Sequence, residues 1–138
     1  MSILTAFEAK AHELGVKNIR ILQNGETIAE KHWDEEIRRN QYSVSKSFVS
    51  AAVGFAVQEK LLSLEERIVD AFPEEIPEQP NAFLQSLTVR HLLTMSIGQD
   101  RGYLMVPQRP FLETENWVRY ALHQEFTFMP GDKFVYSN

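Results

Sequence analysis

A hydroxyl-rich segment, Ser43-Val44-Ser45-Lys46-Ser47, leads directly into the apolar run FVSAAVGFAV. Ser43 and Lys46 are three residues apart, so at the start of a helix both side chains lie on one face, one turn apart. A neutral lysine can take the proton of a serine hydroxyl if burial, a second cation or the helix dipole lowers its pKa well below about 10.4. The segment is therefore compatible with an activated serine nucleophile.

The same spacing also has a purely structural interpretation. Ser43 can cap the helix, and Lys46 can lie on the surface with its aliphatic stem packed against apolar neighbours. Nine serines and six lysines in 138 residues give a Ser-x-x-Lys match roughly 0.4 times by chance. The spacing alone thus favours the structural interpretation.

A second polar pattern, Tyr136-Ser137-Asn138, follows the segment MPGDKFV. Four tyrosines and six asparagines predict roughly 0.17 such Tyr-x-Asn matches by chance. A phenol beside an ammonium group can have a lowered pKa and act as a general base, while an asparagine amide can orient a carbonyl or hold a lysine. An aromatic residue at a strand end, followed by a turn asparagine, explains the same letters without chemistry.

The first forty residues predict a helix and a β-hairpin. Apolar residues recur at helical spacing over 2–14, and two β-prone runs, 17–23 and 26–33, flank Asn24-Gly25. That dipeptide favours a type I′ turn, because both residues tolerate positive φ. A single pair of strands is marginal in water, so the hairpin needs further partners.

Residues 41–138 predict a mainly helical region that carries both polar patterns. A helix over 44–60 is expected to pack closely on several sides, because it is rich in alanine and glycine. The capping-box spacing of Ser63 and Glu66 predicts a short helix to about residue 71. Thr88 and Thr114 are predicted to cap two further helices, with Gly98 ending the first of these, and Pro130-Gly131 is predicted to form a turn.

Composition excludes several functional classes. The net charge is −5 and no basic run occurs, which argues against a nucleic-acid surface. No apolar segment approaches the roughly 20 residues that a membrane span needs, and the first ten residues do not resemble a signal peptide, so a cytoplasmic location is expected. The chain has no cysteine, and its four histidines show no metal-ligand spacing, so neither a metal nor another cofactor is expected.

Four segments together resemble the serine β-lactamase and penicillin-binding-protein superfamily, most closely its branch of class C β-lactamases, DD-peptidases and esterases. The segments are YSVSKSF, LLSLEERIVDAFPE, LTVRHLLTMSIG and PGDKFVYSN, in that order. Ser-x-x-Lys is a signature of these enzymes, and Tyr-x-Asn is this branch's equivalent of Ser-Asp-Asn. The resemblance implies that Ser43 is the acylated nucleophile, Lys46 its proton partner, Tyr136 a general base and Asn138 a substrate-orienting amide.

The sequence departs from the superfamily in two places. Met95-Ser96-Ile97-Gly98 stands where members commonly have His-Thr-Ser-Gly, in a loop whose role is mainly structural. In addition, residues 1–138 contain no Lys-Thr-Gly or His-x-Gly, the third motif, which lies on a later strand and supplies an oxyanion-hole N–H. The expected fold is thus α+β: a helical region packed with an antiparallel sheet, as the N-terminal part of a single β-lactamase-like domain, 1–138, that lacks most of its sheet.

Two functions follow as expectations. The resemblance implies a serine acyl-hydrolase that acts on small-molecule or peptide esters, amides or lactams through an acyl-enzyme on Ser43. The alternative is an incomplete or inactive fragment that acts by association, either with itself or with a complementing C-terminal segment, through unpaired strand edges. In either case, little or no activity is expected from the 138-residue chain alone.

Overall fold

The computed structural model describes residues 4–105, 107 and 109–138. These residues divide into two compact units, one up to Tyr42 and one from Ser43 to Asn138. The architecture is α+β, as expected, with short helices and one two-stranded antiparallel sheet. The interpretation of the chain as one incomplete domain stays a prediction.

The first unit consists of helix α1 (Thr5–Glu13) and strands β1 (Asn18–Gln23) and β2 (Glu26–His32). The prediction of a helix over 2–14 is confirmed over Thr5–Glu13, and residues 2 and 3 lie outside the described residues. The predicted hairpin is also confirmed. Both turn residues have positive φ, 52° at Asn24 and 83° at Gly25, as a type I′ turn requires.

The hairpin register pairs Asn18 with His32 and shifts by one residue at the Ile21/Leu22 step. A one-residue shift of this kind is a β-bulge, which increases the local twist of the strand pair. Helix α1 packs its Phe7 ring against Trp33, with ring centroids 6.3 Å apart. Trp33 is therefore a packing residue of this unit.

A 3₁₀ turn (Tyr42–Val44) spans the boundary and leads into α2 (Ser45–Gln58) of the second unit. Four short helices follow, which are α3 (Ile68–Ala71), α4 (Ala82–Ser86), α5 (Val89–Leu93) and α6 (Trp117–Leu122), with a second 3₁₀ turn at Arg109–Phe111. Their apolar faces enclose one core, formed by Ile68, Leu84, Leu87, Val89, Leu122 and Phe126. Val53 is partly buried against this core.

The expected close packing of α2 on several sides is wrong. None of its residues is fully buried, and its aromatic side chains at Phe48 and Phe55 are 74% and 63% exposed. Ala51, Ala52 and Gly54 are also exposed. Small residues allow close approach, but within the described residues only the Val53 side of the helix meets the core.

Three predicted helix boundaries are also wrong. Residues 63–67 form a turn and a β-bridge, because Arg67 is extended and pairs with Thr88, so the helix covers only 68–71. The cap of α6 is Asn116, whose side chain accepts from the Arg119 N–H, and not Thr114. Helix α5 ends at Leu93, before Gly98, because Met95 adopts a left-handed conformation with φ 56°.

Two other predicted features of this unit are confirmed. Thr88 lies at the N-cap of α5, where its N–H donates to Nδ1 of His91 at 3.1 Å. His91 thereby takes the place that Glu or Gln occupies in a capping box. The chain turns at Pro130-Gly131, with the Asp132 N–H donating to the Met129 carbonyl and φ 100° at Gly131.

Candidate active site

The N-terminus of α2 holds the first two candidate residues. Ser43 belongs to the 3₁₀ turn before the helix, and Lys46 is the second helical residue. Lys46 Nζ donates to Ser43 Oγ at 3.3 Å. The local spacing thus places an ammonium beside an exposed serine hydroxyl, as the sequence pattern predicted.

The far end of the unit brings the other two candidates to the same place. Tyr136 Oη lies 2.5 Å from Ser43 Oγ, so one hydroxyl donates to the other. Lys46 Nζ donates to Asn138 Oδ1 at 2.7 Å and lies 5.3 Å from the centroid of the Tyr136 ring. All four candidate side chains therefore meet in one cluster, in which Ser43 contacts both Lys46 and Tyr136. Their catalytic roles stay predictions.

Backbone hydrogen bonds hold the extended segment that carries Tyr136 and Asn138. The Gly131 N–H donates to the Ser96 carbonyl at 2.8 Å, and the Val135 N–H donates to the Met95 carbonyl at 2.8 Å. The Ser137 N–H donates to Sδ of Met95 at 3.4 Å. The loop after α5 thus anchors this segment.

On the opposite side, Gly102 and Leu104 contact the same segment. A Cβ at Gly102 would lie 2.8 Å from the Tyr136 carbonyl oxygen, a distance that real Cβ atoms do not tolerate. The Asn138 amide donates to the Leu104 carbonyl at 3.2 Å, which fixes the orientation in which Oδ1 faces Lys46.

Sequence reasoning did not assign Met95, Gly102 and Leu104 to the site. Gly102 and Leu104 act through backbone position or backbone groups, and Met95 acts through its carbonyl and its thioether, none of which motif spacing reveals. The single local signal was a glycine at 102 outside any predicted turn.

The hydroxyl pair has a defined electrostatic consequence. The hydrogen bond with Ser43 lowers the pKa of the Tyr136 phenol below its usual value near 10. Partial burial opposes this effect, while the hydrogen bond and positive charge of Lys46 lower the pKa further. A phenol with a lowered pKa is a better proton acceptor near neutral pH, because more of it is ionised.

A cavity of about 270 Å³ adjoins the polar cluster. Lys46, Ser137 and Asn138 contribute to its wall. The remaining lining residues are Val49 and Ser50 of α2, with Leu92, Leu93, Met95 and Ile97 from α5 and the loop that follows. A cleft with apolar walls and a few convergent polar groups is the usual form of a small-molecule site.

Other polar residues have structural partners. Glu75 accepts from the Asn116 side chain at 2.8 Å and lies 3.7 Å from Arg119. Across the described ranges, no three His, Asp or Glu side chains form a metal-binding group. No helix among the described residues has the length and apolarity needed to cross a bilayer.

Comparison with known proteins identifies the class. A model of the Beta-lactamase family matches residues 4–138, almost the whole chain. The chain therefore belongs to the Beta-lactamase family, as the resemblance of its four segments predicted. Membership supports a serine hydrolase type of function in general.

Two relatives illustrate how the chain relates to longer proteins. An uncharacterized protein of Alkalihalophilus pseudofirmus is 29% identical over 115 residues, covering 73% of this chain and 32% of that protein. A putative fimbrial assembly protein of Dichelobacter nodosus, FimD of serogroup D, is 31% identical over 100 residues, covering 70% of this chain and 25% of that protein. The matched region is thus a third or less of each relative.

Proposed function

We propose that the chain provides the nucleophile and proton-transfer groups of a serine acyl-hydrolase, of the branch that contains class C β-lactamases, DD-peptidases and esterases. The substrates are small-molecule or peptide esters, amides or lactams. One observation carries the proposal: Ser43 Oγ lies within hydrogen-bonding distance of both Lys46 Nζ and Tyr136 Oη, although Tyr136 is 93 residues away.

In the proposed reaction, Ser43 Oγ attacks the carbonyl carbon and passes its proton to the pair formed by Tyr136 and Lys46. That proton then moves to the leaving alcohol or amine as the acyl bond breaks, which leaves an ester on Ser43. Water, deprotonated by the same pair, attacks the ester and releases the acid. Every proton that leaves a nucleophile is thus returned to a leaving group.

Asn138 has a positioning role in this proposal. Its Oδ1 accepts from Lys46 at 2.7 Å and its Nδ2 donates to a backbone carbonyl at 3.2 Å, so both ends of the amide are engaged. A fixed amide keeps the ammonium beside Ser43 and leaves the phenol facing the hydroxyl. The adjoining cavity, with its largely apolar walls, lies beside Lys46 and Asn138 of this cluster.

Covalent labelling tests the proposal directly. A fluorescent acyl phosphonate should label Ser43, and mass spectrometry of peptides locates the adduct. Ser43→Ala should abolish labelling. Ser47→Ala, which removes an exposed hydroxyl on α2, should leave labelling of Ser43 unchanged. Absence of an adduct on a folded version with the length of the relatives, or an adduct that survives Ser43→Ala, would contradict the proposal.

A second reagent distinguishes lactam substrates from simple ester substrates. A fluorescent penicillin should also acylate Ser43 if the site accepts lactams, as in β-lactamases and DD-peptidases. Labelling by the phosphonate but not by the penicillin assigns the site to esterase-type substrates. Because the chain spans a third or less of its relatives, both reagents should also be tried on a version of the protein with the length of those relatives.

A second candidate function is association rather than catalysis. The observation that favours it is the exposed apolar surface of α2, including Phe48, Val49 and Phe55, each more than half exposed. Exposed apolar patches and open strand edges mark protein interfaces. Sizing chromatography combined with an ester assay separates the two functions: a strictly monomeric, active chain excludes association, and an inactive oligomer supports it.

A further inference from the structure

The segment that carries Tyr136 is held along both of its edges. The N–H groups of Val135 and Ser137 lie on one edge and both donate to Met95, the first to its carbonyl and the second to its thioether. The Tyr136 carbonyl lies on the other edge, where it faces Gly102. This alternation is that of an extended strand, in which successive backbone groups point to opposite sides.

In a β-ladder, the N–H groups at alternate residues donate to backbone carbonyls of the neighbouring strand. Here the Met95 carbonyl accepts from Val135, and the Met95 sulfur accepts from Ser137 in place of a second carbonyl. A thioether is a weak hydrogen-bond acceptor. The Met95 sulfur therefore contributes by positioning the Ser137 N–H rather than by a strong hydrogen bond. The two acceptors together fix how far the segment extends past α5.

We propose that Met95 is a positioning residue of the site, whose thioether sets the segment 135–138 so that Tyr136 reaches Ser43 and Asn138 reaches Lys46. The proposal rests on the proposed function, since it concerns the same four side chains. It gives a role to the methionine that stands where the resembling enzymes commonly have histidine. The left-handed backbone at Met95, φ 56°, is part of the same arrangement, because it directs the carbonyl and the side chain toward one segment.

A purely structural role for Met95 is the competing explanation, because its side chain also lines the 270 Å³ cavity. Met95→Leu separates the two explanations, since leucine has a similar volume and remains apolar but cannot accept a hydrogen bond. Met95→Gln is the matched rescue, because its side-chain oxygen can accept from the Ser137 N–H. Met129→Leu is the control, since Met129 Sδ accepts from Ser86 at 3.5 Å, remote from the four site residues in the hydrogen-bond network.

The first readout is the ionisation of Tyr136, which needs no enzymatic activity. The chain has four tyrosines, and subtracting the ultraviolet titration of Tyr136→Phe from that of the parent chain isolates the Tyr136 step. In Met95→Leu this step should move up toward the usual tyrosine pKa, because the phenol loses its contact with Ser43 and Lys46. Met95→Gln and Met129→Leu should titrate close to wild type.

The second readout is the rate at which the phosphonate labels Ser43. Met95→Leu should lower the maximal labelling rate by at least about tenfold and leave the half-saturating probe concentration unchanged, because orientation is lost while binding is kept. Methyl-¹³C methionine spectra of the wild-type chain add a measurement without substitution: the Met95 methyl resonance should shift with the same pH midpoint as Tyr136.

The outcomes distinguish the two proposals. If a version with the length of the relatives is not labelled at Ser43 but the Tyr136 step moves in Met95→Leu, the proposed function fails and the positioning role stands. If Met95→Leu titrates and reacts as the wild type does, the positioning role is overturned and the function is untouched. Should Met95→Leu fail to fold, as judged by circular dichroism, a Met95 methyl resonance that does not follow Tyr136 overturns the role.

Discussion

Lys46 is the residue on which the site's electrostatics depend. Its ammonium donates to Ser43 and Asn138 and lies 5.3 Å from the Tyr136 ring centroid, so one charge acts on three neighbours. This charge contributes to lowering the pKa of Tyr136, after the larger effect of the Ser43 hydrogen bond. In the proposed reaction the lysine and the tyrosine form the proton-transferring pair, so loss of the lysine should raise the pKa of Tyr136.

Replacing Lys46 by methionine removes the charge and keeps most of the aliphatic stem. Labelling of Ser43 should slow by about 10²- to 10⁴-fold, the usual loss when a general acid–base group is removed. The Tyr136 pKa should rise at the same time, because its stabilising cation is gone. Lys60→Met, at an exposed lysine just after α2, is the control and should change neither. Equal effects from both substitutions would contradict a specific role for Lys46.

Tyr136→Phe tests the pH dependence. The proposed base is the ionised phenolate, so the labelling rate should rise with pH as Tyr136 loses its proton. Because the pKa of Tyr136 is lowered, this rise should have its midpoint below about 10. Tyr136→Phe should lower the rate and remove the rise, whereas Tyr103→Phe should retain it. A rise that persists unchanged in Tyr136→Phe would assign the base to another group.

At the scale of elements, the sequence predicted helices and turns that local residues determine. It mispredicted those whose boundaries depend on contacts between distant residues. The hairpin was predictable because Asn24-Gly25 determines its turn locally, and the start of α2 was predictable from its polar-to-apolar transition. The predicted helix over 63–71 failed because Arg67 pairs with Thr88, a contact 21 residues away that no local pattern encodes. The contacts of Met95 and Gly102 with the segment of Tyr136 are of the same non-local kind.

Gly102→Ala should displace the segment that carries Tyr136. The added methyl would lie 2.8 Å from the Tyr136 carbonyl oxygen and 3.1 Å from Met105 Sδ, so the backbone must move. Misplacing a catalytic group by about 1 Å costs on the order of 10²-fold in rate. Labelling of Ser43 should fall by that order, while the far-ultraviolet circular dichroism spectrum should stay that of the wild type. A wild-type rate would show that the segment is not confined at this edge.

Two glycine substitutions should change stability in opposite directions. Gly25→Ala places a Cβ at φ 83°, which should cost about 1 kcal/mol or more. Gly54 lies inside α2 with open space around its position, so Gly54→Ala should stabilise by about 0.5 to 1 kcal/mol through helix propensity. Free energies of unfolding from urea titrations give both values. If Gly54→Ala destabilises the protein, the surface of α2 is covered in solution.

At the scale of the whole molecule, the sequence predicted which polar side chains meet better than it predicted the packing around them. All four candidate side chains were identified from two short motifs and the resemblance, and they meet in the structure. The burial of α2 was predicted from its composition and is wrong, because burial depends on which surfaces lie opposite, and composition does not contain that information. Motif spacing encodes local geometry, whereas partner surfaces are a property of the assembled fold.

The exposed apolar surface of α2 should promote self-association of the chain and binding of hydrophobic dyes. Replacing Phe48 and Phe55 by glutamine should lower binding of a hydrophobic dye and shift any oligomer seen by light scattering toward monomer. Phe111→Gln removes one aromatic residue that is 82% exposed on a different element, and it should have the smaller effect. Equal effects would indicate general surface hydrophobicity, and no effect of the double substitution would show that α2 takes no part in association.

The bonds from Ser43 to Tyr136 and from Lys46 to Asn138 close loops of 93 and 92 residues. Closing so long a loop costs conformational entropy, so we expect these contacts to form after the local helices. Reactivity at Ser43 should consequently appear only after far-ultraviolet helicity is complete. Adding the phosphonate at successive times during refolding would then measure when the segment of Ser43 and Lys46 contacts the segment of Tyr136 and Asn138.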